Sequence, residues 1–231
     1  MNSERTRLII AIDGPASSGK STTAKRVAEK LGLMYLDTGA MYRAVALKIY
    51  QSGTELTDRT ALTKLLSSTT VTQKFESGEV RFLLDGKDVT EEIRTPEISL
   101  WVGPVSEHSL VREHLVGWQR EIGKSGGLVA DGRDIGTVVF PNADIKIFLV
   151  ADSHVRAVRR QKELAARGIV QNVEEVEEAL IKRDHRDSTR EHSPLSMAPD
   201  AVEIDTTHLT IGDQVERVLS LVKKLQDSIS K

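Results

Sequence analysis

Gly14-Pro15-Ala16-Ser17-Ser18-Gly19-Lys20-Ser21 fits the pattern G-x-x-x-x-G-K-[ST], with Thr22 next. The chemistry served by that spacing is phosphate binding. Glycines let main-chain N–H groups wrap a phosphate at a helix N-terminus, whose dipole favours negative charge. Lys20 then reaches the β and γ phosphates, and Ser21 offers a hydroxyl to a Mg2+ ion bridging them. The expected first substrate is ATP. In Arg183-Asp184-His185-Arg186-Asp187-Ser188-Thr189-Arg190, a helix puts Arg183, Arg186 and Arg190 on one face, with Asp187 in reach of Arg183. Guanidinium forks suit phosphate oxygens; a solvated face paired with its own aspartates is the alternative. Asp131-Gly132-Arg133-Asp134 directly follows apolar Leu128-Val129-Ala130. Ligands of open α/β sheets sit beyond the carboxyl ends of strands, so Asp131 is placed to orient Mg2+ or its water, unless it only caps a turn. Asp37-Thr38-Gly39, opening a helix that carries Arg43, is a further anion cradle or a plain cap beside a solvated arginine.

The chemistry implied is transfer to a phosphate rather than to an alcohol. An alcohol acceptor benefits from a positioned base, whereas a phosphate oxygen at neutral pH is already an anionic nucleophile. What it needs is cancellation of repulsion between two polyanions, and arginines beside a phosphate loop meet that need. Composition narrows the field further. The 231 residues contain no Cys, which excludes disulfide frameworks, thiolate metal sites and cysteine nucleophiles. With 32 Lys plus Arg against 34 Asp plus Glu, the net charge of −2 argues against partnership with nucleic acid or anionic membrane. The polar N-terminus, Met1 to Arg7, meets an apolar run too short for a signal-peptide core or a membrane span, so a soluble, cytoplasmic protein is expected.

The elements that must hold these residues follow an α/β rhythm. Leu8 to Ile12 reads as a strand buried on both faces. A helix from Lys20 carries Ala24, Val27, Ala28 and Leu31 on one face and is capped by Gly32. Met34 to Leu36 is a second strand, and a helix runs from Asp37 toward Tyr50, stopping near Ser52-Gly53. After about Thr69 the pattern becomes a small antiparallel meander over 70–89, with a turn at Ser77-Gly78. Pro96 to Gly123 reads as helical, interrupted at Gly103-Pro104. Strands at 128–130, 145–150 and 201–204 alternate with helices at 154–167, 173–190 and from 211 onward.

Taken together, Asp13 to Thr22, Asp37-Thr38-Gly39-Ala40-Met41-Tyr42-Arg43, Asp131-Gly132-Arg133-Asp134-Ile135-Gly136-Thr137 and Arg183-Asp184-His185-Arg186-Asp187 closely resemble bacterial cytidylate kinases, essentially end to end. The phosphate loop is shared widely, but the other segments in this order are specific to that family. The resemblance implies an α/β fold, a P-loop NTPase core with a five-stranded parallel sheet flanked by helices. A small antiparallel β insert with helices, binding the monophosphate, and a short lid complete it. The core takes 1–66 and 126–231, with the lid at about 156–172, and the insert takes 67–125. The implied activity is Mg2+-supported, ATP-dependent phosphorylation of CMP and dCMP to CDP and dCDP in pyrimidine nucleotide metabolism, by a monomer.

Residue by residue, the resemblance implies that Gly14, Pro15, Ala16, Ser17, Ser18, Gly19, Lys20, Ser21 and Thr22 bind ATP. Ser21 serves Mg2+ through ATP, and Asp131 serves it through water. Thr38, Arg112 and Asp134 recognise cytosine, with Arg190 near the base. Arg43 and Arg133 hold the CMP phosphate, and Arg183 and Asp187 reach its sugar and phosphate side. An arginine of the lid helix, Arg156, Arg159 or Arg160, meets the transferring phosphoryl group; Arg159 is taken as catalytic with Lys20 and Arg183. The sequence departs from the family at two places. Gly103 stands where relatives often carry a Ser opening the helix that leads to Arg112, and Asp-Thr-Gly replaces Asp-Ser-Gly while keeping the hydroxyl.

Other features read as structural. The six His lack metal-ligand spacing, Trp101 and Trp118 suit packing, and the insert strands lack the basic excess of a nucleic-acid platform. The rival enzyme is another small P-loop kinase, acting on UMP or a small alcohol. The rival from another class is a slowly hydrolysing nucleotide switch, which needs no second anion cradle.

Overall fold

The computed structural model describes residues 7–76 and 79–229. The Ser77-Gly78 turn and the first six residues therefore lie outside the described residues. The chain forms two compact units, one of residues up to Leu36 and from Gly123 onward, the other Asp37–Ile122.

The first unit is built on a five-stranded parallel sheet in the order β2-β6-β1-β7-β8. Its strands are β1 (Ile9–Asp13), β2 (Met34–Asp37), β6 (Leu128–Gly132), β7 (Ile145–Val150) and β8 (Val202–Asp205). β1 lies at the centre, pairing Ile10 with Val129 on one side and with Ile145 on the other. That position explains its unbroken branched-aliphatic run, since Ile10, Ala11 and Ile12 are wholly buried. The helix α1 (Lys20–Leu31) starts from a left-handed Gly19 and ends on a left-handed Gly32. Its Ala24, Val27 and Ala28 join a core with Ile10, Ile12, Ile147 and Leu149, which α8 (Ile211–Ile229) completes through Val215, Val218 and Val222. Each large aliphatic side chain buried there contributes roughly 1.5–3 kcal/mol. A second cluster joins Ala16 of the phosphate loop to Ala157 of α6 (Ser153–Ala165) and to Val176 and Leu180 of α7 (Val173–Thr189).

The second unit carries α2 (Thr38–Ser52), α3 (Arg59–Ser67), α4 (Pro96–Glu107), most of α5 (Ser109–Gly123) and the antiparallel sheet of β3 (Val71–Glu76), β4 (Glu79–Leu84) and β5 (Lys87–Asp88). The insert expected over 67–125 makes up much of this unit, and α2 and α3 belong to it as well. Asp37 caps α2 by accepting the Ala40 N–H at 2.9 Å. One helix boundary differs from expectation: α4 runs through Pro104, and the break falls at the extended residue His108. A proline disfavours helix at the preceding residue through the clash of its ring with that residue's Cβ. Gly103 has no Cβ, so that part of the clash is eased, and the helix continues despite the N–H that Pro104 lacks.

Candidate active site

In the first unit the phosphate loop bends sharply between β1 and α1. Gly14 has φ +144°, and a Cβ there would come within 2.1 Å of the Leu149 carbonyl oxygen, so only glycine fits. Ser17 and Gly19 also take positive φ values, 59° and 97°. Lys20 is buried and its Nζ donates to the Pro15 carbonyl at 2.7 Å. Burial, then the Arg133 charge, lower its ammonium from 10.5 to about 7; Arg183 adds to the effect while Asp131 and Asp13 oppose it. The cations on the helix and on the strand end are thus electrostatically present at the phosphate-loop lysine.

Asp131, one residue from the end of β6, accepts the Ser21 hydroxyl at 2.7 Å through Oδ2 and the Tyr35 hydroxyl at 2.8 Å through Oδ1. A serine hydroxyl and a carboxylate held this way are hard oxygen donors of the kind Mg2+ takes alongside substrate phosphates, so the residues fit that ion. Arg133 Nε donates to Asp187 Oδ2 at 2.9 Å, and Arg183 Nε lies 3.9 Å from the same oxygen. Burial alone pushes the Asp187 carboxyl up, but Arg133, Arg183 and Arg190 together hold it below the usual carboxylate value. Arg190, its side chain 5% exposed, places Nη2 3.6 Å from Asp134 Oδ1 and donates Nε to the Ser193 carbonyl at 2.7 Å. Arg133 and Arg183 therefore share Asp187, whose carboxyl also feels the Arg190 charge, while Arg190 itself pairs with Asp134.

The three arginines of α6, Arg156, Arg159 and Arg160, differ in their surroundings. Arg156 is buried against Asp184 and the loop carbonyl of Ala16. Arg159 donates Nη1 to the Thr206 hydroxyl at 3.1 Å and Nη2 to the Thr206 carbonyl at 2.5 Å. Arg160 pairs with Glu163 one turn away.

In the second unit, Thr38 is buried at the start of α2. Arg43 donates Nη1 to the Ser99 hydroxyl at 2.9 Å. Arg112 is buried, donates Nη1 to the Ser106 carbonyl at 3.1 Å, and sets its guanidinium 5.4 Å from the Tyr42 ring centroid. Gly103 does not open the helix bearing Arg112. It sits inside α4, and α5 begins at Ser109.

Three contributors escape sequence reasoning. Asp13 accepts the N–H groups of Ile135 at 2.8 Å and Gly136 at 2.7 Å, satisfying donors at the start of the π-helical turn Ile135–Val139 that follows Asp134. Tyr35 steadies Asp131, and the buried Thr206 hydroxyl donates to the Ser18 carbonyl of the phosphate loop at 2.9 Å. Asp13 at a strand end beside the loop was the one legible signal. Among the described residues, no group of three or more His, Asp or Glu side chains gathers for a metal, and no helix is long and apolar enough to cross a membrane.

The cytidylate kinase family matches residues 10–224. A cytidylate kinase of Pediococcus pentosaceus is 49% identical over 93% of this chain and 95% of its own. One from Geobacillus kaustophilus is 47% identical over 95% and 98%. An uncharacterized protein of Eubacterium ventriosum shares the fold, with a TM-score of 0.51 and 12% identity, over 94% of this chain and 99% of that one. The agreement spans the phosphate loop, both strand-end segments and the arginine helix, and the chain belongs to the cytidylate kinase family.

Proposed function

We propose that this chain transfers the γ-phosphoryl group of ATP to the phosphate of CMP or dCMP, giving CDP or dCDP, as a cytoplasmic monomer serving pyrimidine nucleotide metabolism. The observation that carries the reading is the cluster of Arg133 and Arg183 on Asp187, close enough to the phosphate-loop Lys20 to lower its ammonium. Further cations there repel Lys20 in the empty protein and exceed what ATP binding alone requires, since the loop amides, Lys20 and Mg2+ already take its phosphates. A second phosphate group makes them favourable.

ATP binds along Gly14 to Thr22, with Lys20 on the β and γ phosphates. Ser21 would hold Mg2+, and Asp131 would do so through water; that ion, when bound, neutralises phosphate charge and fixes its orientation. Thr38, Arg112 and Asp134 recognise cytosine with Arg190 near the base. Arg43 and Arg133 take the CMP phosphate, and Arg183 with Asp187 the sugar and phosphate side. Arg159, with Lys20 and Arg183, stabilises the charge of the moving phosphoryl group, and the 156–172 segment acts as the lid excluding water from it. The acceptor oxygen is already anionic, so no residue takes a proton from it. Cytosine is selected because Arg112 donates to its ring acceptors while Asp134 or Thr38 accepts from the exocyclic amine. Uracil offers the opposite pattern and leaves buried groups unpaired.

A coupled assay with ATP and Mg2+ tests the reading: ADP must form faster with CMP than without it, and an equal rate refutes kinase activity. Arg112→Met is expected to lower the CMP/UMP preference by about tenfold or more; an unchanged ratio removes Arg112 from base recognition. Lys20→Ala is expected to abolish transfer, and normal turnover would sink its role.

A further inference from the structure

We infer that Arg156 and Asp184 are positioning residues that clamp the main chain of Ala16 in the phosphate loop. This rests on the phosphate-loop reading of ATP binding. The two side chains engage both polar atoms of one residue. The Ala16 N–H donates to Asp184 Oδ1 at 3.3 Å, and Arg156 Nη1 donates to the Ala16 carbonyl at 3.2 Å. Arg156 closes the arrangement by pairing with Asp184 Oδ2 and donating Nε to the Ala151 carbonyl at 3.0 Å. The pair is well shielded, with side chains 8% and 19% exposed. The Ala16 methyl completes the seat by packing on Ala157, Val176 and Leu180.

Nε and Nη1 of this guanidinium are committed to carbonyls and a carboxylate of its own chain. Those bonds hold it on the loop. The loop needs such an anchor: Gly14, Ser17 and Gly19 are all at positive φ, a conformation that ordinary helix and strand pairing does not maintain. Asp184 stands next to Arg183 and one turn before Asp187 on α7, so the helix that carries part of the arginine cluster also fixes the ATP loop. Arg156 and Asp184 act on ATP by shaping what binds it.

The test compares wild type, Arg156→Met, Asp184→Asn and the double variant by titration with a fluorescent mant-ATP probe, together with steady-state constants for both nucleotides. Each single variant is expected to weaken mant-ATP binding by about 10- to 100-fold, with the KM for CMP little changed. The double variant should be no worse than the poorer single one, because either change opens the same clamp. Arg156→Lys should recover part of the loss. If Arg156→Met fails to fold by its thermal melt, Asp184→Asn and Arg156→Lys carry the comparison. Three results overturn the inference: normal mant-ATP binding in Asp184→Asn, additive losses in the double variant, or a fall confined to kcat in the Arg156 variants. A wild type that binds mant-ATP but does not phosphorylate CMP refutes the kinase reading and leaves the clamp test intact.

Discussion

Replacing Asp13 with Asn should separate stability from activity. The Asp13 carboxyl is 4% exposed and is raised from 3.8 to about 6, chiefly by burial, while the Gly136 and Ile135 amides pull the other way. Between those two values the folded chain holds a proton that the unfolded chain has released. Stability therefore falls as pH rises through the window, and the cost is fully present above it. At about 1.36 kcal/mol per pH unit the cost approaches ~3 kcal/mol. For a chain of this size that corresponds to roughly 6–12 °C in melting temperature. Asparagine carries no charge and escapes the cost, but it has one acceptor oxygen for two N–H groups, and an unpaired buried donor costs about 1–3 kcal/mol. Thermal and urea melts of both proteins across about pH 4 to 7 should show the difference moving in the variant's favour by up to ~3 kcal/mol. Above that range the variant should be about as stable as wild type or more so. Turnover should fall, because the segment following Asp134 loses one of its two anchors. Parallel stability curves would refute the burial argument, and unchanged turnover would refute the anchoring role.

Asp131→Asn should raise the Mg2+ concentration needed for half-maximal rate, since the side chain loses its charge while keeping an oxygen for Ser21; an unchanged Mg2+ dependence contradicts the assigned role. Gly14→Ala forces a Cβ to within 2.1 Å of the Leu149 carbonyl oxygen, so a loss of roughly 4 kcal/mol or more is expected in urea melts. A variant as stable as wild type would show that the loop can open without cost.

What the sequence discloses here is what depends on neighbours in the chain. β1, the phosphate loop and α1 follow from an apolar run, fixed glycine spacing and a helical stripe, and Asp37 announces its cap. The Arg183–Asp187 pair was legible from its i,i+4 spacing, but Arg133 as a second partner of that carboxylate was not, because Asp187 meets Arg133 only once β6 and α7 have packed. The roles of Asp13, Thr206 and Asp184 were hidden for the same reason: each bonds the backbone of a segment far along the chain. Pro104 misled because the glycine before it eases the clash that usually ends a helix there, and α4 tolerates the absence of the N–H that proline lacks.

The central place of β1 also sets a timetable for the growing polypeptide. Ile9 finds its neighbour only at Leu128, and Ile10 its other neighbour only at Ile145. Loop-closure entropy for those pairings must be met before their contacts return anything. The Asp37–Ile122 unit, by contrast, draws on one uninterrupted stretch of chain. It can gather during synthesis while β1 waits, so the phosphate loop, made before either of that strand's neighbours, takes shape only after them.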